Sequence, residues 1–595
     1  MPPTRRPWAV IASLVVTVLA IAGCGGLPVD TAVQPGLNVN GVNPPQLQYV
    51  PPGPRAGETP DEVIRGFLVA GTASGGVYNV ARAFLTSAAA GTWVPDGEAV
   101  IYDSSSPLDI RPITPTSWQL TATQQAVIDP GGRLLPSRAD TVVRATITLQ
   151  LVKGQWRISG LPKGFGRWVG ERDLDGLFAA YGVVYLGPRS APTIPDVRWF
   201  PRDHLPNRLT AAVIDPLPAY LDGAATTVFP TDAVLSSVQV KDGVATVDLA
   251  GSFRTDTASR KAMWTQLVLS LTGLPDVNAV ILQSNGVVLD YAGRPARPLS
   301  ANDLEPPAGD LTGPVAPVVR TGGKVSTVDL TSLLDPGAAG RQPAVPRKAY
   351  PDVASGWVQL ALSADGAELA AVDGNHNDLS RWRNNQQYVV PVAAAKIARP
   401  AYDGRGYLWF GGVGSAAGAK DVRLWVVDTH AAPGDLKAAA AHAVAVPWLE
   451  GRVVTSARPS ADGQRVAVVS TDAAGRHPRL DLAGVVRDKS GLPASLAASV
   501  QLAPTMTLIR DVAWADDTDL VAIGQVGTHD PLRVVGVSIG GQLVSRPPTP
   551  GAESITVLPG QRDVVVVTDR NTFLVQAGLG WQQRAQGTDL AVPAG

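Results

Sequence analysis

Few residues in this 595-residue chain stand at spacings that could do chemistry. The one cysteine, Cys24, has no second thiol, so a disulfide within the chain is excluded. Its flanks, Ile21-Ala22-Gly23 and Gly25-Gly26, are small and flexible, unlike the surroundings of a buried free thiol. The six histidines, His204, His376, His430, His442, His477 and His529, are scattered, with no pair at metal-ligand spacing. Asp373, Asn375 and Asn377 match positions 1, 3 and 5 of a calcium loop. Asp378 then replaces the glycine of position 6 and Asn384 the glutamate of position 12, so a plain loop is expected. Gly412, Gly414 and Gly418 fall one residue off the dinucleotide fingerprint, and no helical pattern follows them. There is no Walker loop. Asp242, Asp248 and Asp290 could suggest acid chemistry, but turn and solvated-face roles are expected for them. No catalytic residue, cofactor or metal ligand is therefore assigned, and Cys24 is the one chemical site.

The residues ahead of Cys24 say what it is for. Arg5 and Arg6 precede an apolar run, Trp8 to Ile21, interrupted only by Ser13 and Thr17. That run is shorter than the ~20 residues of a membrane span. A positive start, an apolar centre and a small-residue exit form the plan of a secretory signal, residues 1–23. Leu19 to Cys24 resembles a bacterial lipobox, which implies cleavage before Cys24, an S-diacylglycerol thioether on its sulfur and a freed amine open to acylation by a palmitate-type chain. Such chains would hold the protein on the extracytoplasmic face of the cell membrane, at ~0.8 kcal/mol per buried methylene. Residues 24–57, rich in Pro, Gly and Asn, read as a tether with a coil reach of roughly 30 Å.

Composition sets the frame for the rest. With 45% hydrophobic and 17% charged residues, the chain can bury several cores, and its length suggests three or four domains. A net charge of −1 provides no field to draw it to nucleic acid. Order is expected to begin at Thr59-Pro60-Asp61-Glu62, a capping box with proline in the first turn, leading into a helix carrying Val63, Phe67 and Ala70 on one face. A second short helix is expected over Tyr78 to Leu85. Strands are expected over Trp118 to Ile128, then over the alternating Val143, Ala145, Ile147, Leu149 and Leu151, with Trp156 and Ile158 returning after Lys153-Gly154. Helices followed by a curved antiparallel sheet resemble the NTF2-like α+β fold, over 58–180.

The segment 181–300 begins with a hairpin, Val183–Leu186 with Val197–Pro201, and a helical pattern over Leu209 to Leu221 that Pro216 and Pro218 limit. Two strands follow around Lys241-Asp242-Gly243, then a helix over Ser259 to Thr272 with Met263, Leu267 and Leu271 on one stripe, then a last strand in Asn278 to Gly286. This order resembles the GerMN module, a second α+β unit. Residues 301–350 read as a linker with the first propeller strand or strands, one of them at Val325 to Leu330. Over 351–595 a motif recurs: 360–372, 399–410, 457–470, 511–523 and 556–568 each hold a strand, a tight turn and an apolar strand. The turn anchors Asp365, Asp403, Asp462 and Asp516 recur at intervals suited to four-stranded blades, which predicts an all-β propeller of about six blades, within a range of five to seven. Trp382, Trp409 and Trp581 stand either as contact anchors on loops or as blade core.

The order of lipobox, tether, NTF2-like unit, GerMN unit and propeller is similar to that of the LpqB family of actinobacterial lipoproteins. That resemblance implies a non-catalytic accessory of the MtrA–MtrB two-component system, touching the extracytoplasmic domain of the sensor kinase MtrB and linked to cell division and cell-wall homeostasis. The alternatives are a binder of cell-wall glycan or muropeptide and, less favoured, a glycan hydrolase.

Overall fold

The computed structural model describes residues 51–73, 78–188, 193–254, 256–291, 297–304, 315–328, 333–334, 349–416, 420–558 and 563–594. Cys24, the apolar leader and most of the tether lie outside them. Contacts gather Gln48–Gly595 into one unit.

The first helix, Pro60–Ala70, starts as its sequence dictates. Thr59 is extended at the cap, and its N–H donates to Glu62 Oε2 at 2.8 Å. Val63, Ile64, Phe67 and Leu68 are buried. The second helix is Asn79–Ala83, with Tyr78 in left-handed backbone just before it, and a third short helix, Ser87–Thr92, follows. These helices pack on a sheet ordered Gln155–Gly160, Val142–Val152, Ser117–Ile128, Ala99–Tyr102, Arg167–Gly170. Lys153 and Gly154 both take positive φ, 51° and 77°, as a two-residue hairpin turn needs. One pair departs from the antiparallel expectation: Ala99–Tyr102 and Arg167–Gly170 run parallel. They are not joined by a hairpin, so nothing forces the chain to reverse between them.

In the middle module Phe178–Leu186 pairs with Thr193–Pro201. The helix expected over 209–221 spans Leu205–Ile214 instead. Pro216 pushes Asp215 into extended backbone (ψ 158°), and Ala219–Leu221 becomes a separate 3-10 turn. Val234–Lys241 and Val244–Ala250 join through Asp242 and Gly243, both at positive φ. The helix Thr257–Leu271 is capped by Asp256, whose Oδ1 accepts from the Ser259 N–H at 2.9 Å. It crosses over to Ala279–Ser284, which lies parallel to Val244–Ala250. Met263, Trp264, Leu267, Val268 and Leu271 are buried. Gln266 and Ser270 are buried too, bonded to the carbonyl and N–H of Val184 at 3.1 and 3.0 Å. Their side chains stand in for the missing strand neighbour along that edge.

The five sequence repeats are the inner hairpins of five blades. Their innermost strands are Trp357–Leu362, Ala401–Tyr402, Val453–Pro459, Leu508–Trp514 and Ala552–Val557. A sixth sheet takes its innermost strand, Asp589–Ala591, from late in the chain and its next two, Val318–Thr321 and Lys324–Thr327, from ahead of the first blade. The strand expected at Val325–Leu330 is thus Lys324–Thr327; residues 329 and 330 lie outside the described set. Neighbouring inner strands touch in ring order, and the Thr556 hydroxyl donates to Leu590 O at 3.4 Å where the ring closes. Six blades are present among the described residues.

The middle module and the propeller share one core. Trp264, Leu267 and Leu282 belong to the same apolar cluster as Val469 and Leu482 of the third blade and Leu520 and Val535 of the fourth. Gly484 permits this approach: a Cβ there would stand 2.4 Å from Ala224 Cβ and 2.9 Å from Tyr220 O.

Candidate functional site

The acids weighed in the sequence are structural. Asp242 forms the hairpin turn, Asp248 accepts from the Gly286 N–H at 2.9 Å, and Asp290 pairs with Arg260. Asp373 turns its carboxylate on its own loop, accepting from the N–H groups of Asn375, Asn377 and Asp378 at 3.0, 2.6 and 2.7 Å. Gly414 sits in the strand Val413–Gly414, and Gly418 is outside the described residues. His376, His430 and His477 each bond a local partner: Ile397 O, Asp428 and Asp472. Among the described residues no cluster of three or more His, Cys, Asp or Glu could hold a metal ion, and no helix is long and apolar enough to cross a membrane. Trp382 (4% exposed) and Trp409 (0%) are blade core, so neither is a loop anchor. Trp409 lies on the second strand of its blade, and its indole N–H donates to the buried Asp403 at 3.0 Å. Trp581 is half-buried, its indole N–H on Pro547 O.

Two charged sites emerge that no linear spacing shows. The first is where three domains meet. Gly540 O, between two strands of the fourth blade, accepts from Leu134 N of the N-terminal sheet at 3.3 Å and from Trp199 Nε1 of the middle module at 3.1 Å. Beside it, Gly541 (φ 96°) leaves room for Leu134 O, which a Cβ would meet at 1.7 Å. Arg465 of the third blade donates to Pro195 O at 3.0 Å. At the centre Asp196, 0% exposed, accepts from Arg133 of the N-terminal sheet at 2.9 Å, and from Arg198 and the Tyr220 hydroxyl at 2.8 Å. Burial works against both guanidiniums, but the Asp196 carboxylate and the neighbouring tyrosine hydroxyls together outweigh it and raise both above the ordinary arginine value. Burial also pushes the Tyr185 hydroxyl, bonded to Arg198, up to about 12.

The second site is the propeller axis. Asp511 in the fourth blade accepts from Arg399 of the second blade (3.2 Å), Arg458 of the third (2.9 Å) and Ile555 N of the fifth (3.1 Å). Asp589 of the closing blade accepts from Arg320 at 2.8 Å and from Leu360 N of the first at 3.0 Å. Arg399 also donates to Leu590 O at 3.3 Å. Asp511 thus ties the second to fifth blades together, Asp589 ties the sixth to the first, and Arg399 joins the two sets through Leu590 O. The recurring Ala-Arg-Pro at 398–400 and 457–459 was their one trace in the sequence. A cavity of about 200 Å³ opens on one side of this plug and one of about 420 Å³ on the other.

Comparison with known proteins follows the same division. Residues 53–175 match the model of the lipoprotein LpqB N-terminal domain, and 345–594 that of the lipoprotein LpqB beta-propeller domain. Residues 183–290 match a model described as sporulation and spore germination. Lipoprotein LpqB of Thermobifida fusca is 24% identical, with 99% of each chain covered. That of Cutibacterium acnes is 23% identical, with 98% of each covered. That of Streptomyces coelicolor is 26% identical, covering 99% of this chain and 98% of the relative. Two LpqB-specific models fall on the N-terminal sheet and the propeller, the germination-protein model falls on the module between them, and relatives align over nearly all of both chains; the chain belongs to the LpqB family of lipoproteins.

Proposed function

We propose that this protein is a lipid-anchored, non-catalytic accessory on the extracytoplasmic face of the cell membrane, acting on the sensor kinase MtrB of a two-component system tied to cell division and cell-wall homeostasis. The observation that carries the proposal is the single apolar cluster joining the middle module to the propeller, with the three-domain junction beside it. A body held this way offers one fixed surface to a partner, so a contact is not weakened by the ordering of loose domains. Anchoring at Cys24 confines both proteins to one membrane surface, which raises their effective concentration. Binding that favours one kinase conformation is then enough to bias signalling. A non-catalytic role fits the channel acids, since Asp511 and Asp589 are already neutralised by guanidiniums.

The test is binding of residues 48–595 to the extracytoplasmic domain of MtrB. The middle module and the propeller share a core, so the binding face is mapped with surface variants of the whole unit, not with separated domains. Saturable binding is expected. No binding at ~100 μM, where weak contacts register, refutes the kinase partner and favours a cell-wall ligand. Cys24→Ala should leave the body folded and release it from membranes in a detergent-free wash; complete retention refutes the anchor.

A further inference from the structure

Four of the six inner strands of the propeller carry a β-bulge at the same end. The pairing with the second strand slips between Val358 and Ala361, Val454 and Ser456, Ile509 and Asp511, and Ala552 and Ser554. A bulge re-aims the side chain of the extra residue. Here the extra residues include Gln359, Thr455, Arg510 and Glu553, and all four line the cavity of about 420 Å³ at that end of the channel. A cavity of this volume suits a small molecule. Ring closure alone does not call for bulges, since the two remaining inner strands close without one.

Two buried polar atoms at this mouth have no partner. Arg399, 9% exposed, uses both terminal nitrogens on Asp511 and Leu590 O, while its Nε–H is unpaired. Gln359 is held at φ 61°, in left-handed backbone that a side chain adopts at a cost, and its Oε1 is buried without a donor. A residue with a buried unpaired donor and one with a buried unpaired acceptor thus line the same cavity, and each stands to gain from a ligand that reaches it. The rim adds both signs of charge, Arg510 and Glu553, paired at 3.0 Å but partly exposed. The described lining contains no aromatic ring, so a sugar has no flat face to stack on. The cavity at the other end differs, bringing Trp514, Val557 and Leu558 to its wall.

We propose that this mouth binds a small zwitterion of the amino-acid or short-peptide class, with its carboxylate on Arg399 and its ammonium on Gln359 and the Glu553 side of the rim. The proposal does not rest on the kinase contact and stands or falls independently of it. The probe is glycylglycine, titrated calorimetrically into residues 48–595, with N-acetylglucosamine in a parallel titration. Arg399 also holds the ring together, so the decisive variant is Gln359→Gly, which adopts φ 61° without strain and removes the acceptor. Saturable one-to-one binding of glycylglycine is expected, weakened about tenfold or more by Gln359→Gly and also by Glu553→Gln. No saturable heat up to ~10 mM, binding that Gln359→Gly leaves unchanged, or binding of N-acetylglucosamine in place of the dipeptide would each overturn the proposal.

Discussion

Asp196→Ala tests whether the domain junction is held by charge. The carboxylate is fully buried and accepts three hydrogen bonds, from Arg133, Arg198 and Tyr220. Its removal leaves two guanidiniums, 15% and 9% exposed, without a counter-charge. Breaking a buried ion pair from one side costs about 3–5 kcal/mol. Two features place this case near the lower end. Arg198 keeps the Tyr185 hydroxyl at 2.6 Å, and the Arg133 guanidinium lies 4.7 Å from the Tyr220 ring centroid. A loss of about 3 kcal/mol is therefore expected, with a smaller loss for Asp196→Asn, whose amide oxygen still accepts. The assay is urea unfolding followed by tryptophan fluorescence, to which Trp199 at the junction contributes. A body of several domains need not unfold in one step, so the first transition is the relevant one. Adding Arg133→Met and Arg198→Met to Asp196→Ala should restore much of the loss, because an apolar cluster of similar volume needs no counter-charge. A loss under about 1 kcal/mol, the scale of an exposed pair, would refute the reasoning, as would equal losses for Ala and Asn.

The propeller axis and its docking face give three more tests. Burial alone would raise the Asp511 carboxyl, but Arg458 and Arg399 outweigh it and hold it below the ordinary carboxylate range. The folded state then takes up that proton later than the unfolded chain does. The stabilisation is complete above about pH 4 and is lost as pH falls below it, so Asp511→Asn should flatten the acid limb of a plot of Tm against pH. Gly484→Val should loosen the middle module from the third blade and quicken protease cleavage between them, since even a Cβ meets Ala224 and Tyr220; an unchanged digestion pattern would count against the shared core. Asp589→Ala should destabilise the closing blade by about 3 kcal/mol by leaving Arg320 buried without its partner, read as a lower urea midpoint.

Legibility followed the reach of each interaction along the chain. Hairpins were plain because Lys153-Gly154 and Asp242-Gly243 carry their own turn chemistry, and both turns have the backbone their residues favour. Five blades showed in the sequence because inner and second strands are adjacent there. The sixth did not, because Arg320 and Asp589, neighbours in it, are 269 positions apart. The junction was hidden for the same reason: Arg133 and Asp196 lie in different domains, and neither sits in a motif. Gln266 and Ser270 lie outside the apolar stripe that marked their helix, yet they face a strand edge whose backbone needs partners. Trp382 and Trp409 could not be assigned from sequence, since a tryptophan in a short strand looks the same whether it faces a neighbouring blade or the solvent.

The sixth blade also imposes a timetable on biosynthesis. Its outer strands, Val318–Thr321 and Lys324–Thr327, emerge before any other part of the propeller, while their inner partner, Asp589–Ala591, emerges after all five complete blades. Until then the ring stays an open arc, and Val318–Thr321 at one end of it lacks its inner neighbour, the kind of edge that recruits other chains. The early strands must therefore wait through five blades of synthesis, and a product cut short before Asp589 never closes. The strand Asp589–Ala591 thus acts as a check on assembly, separating closed rings from fragments that remain open to proteases.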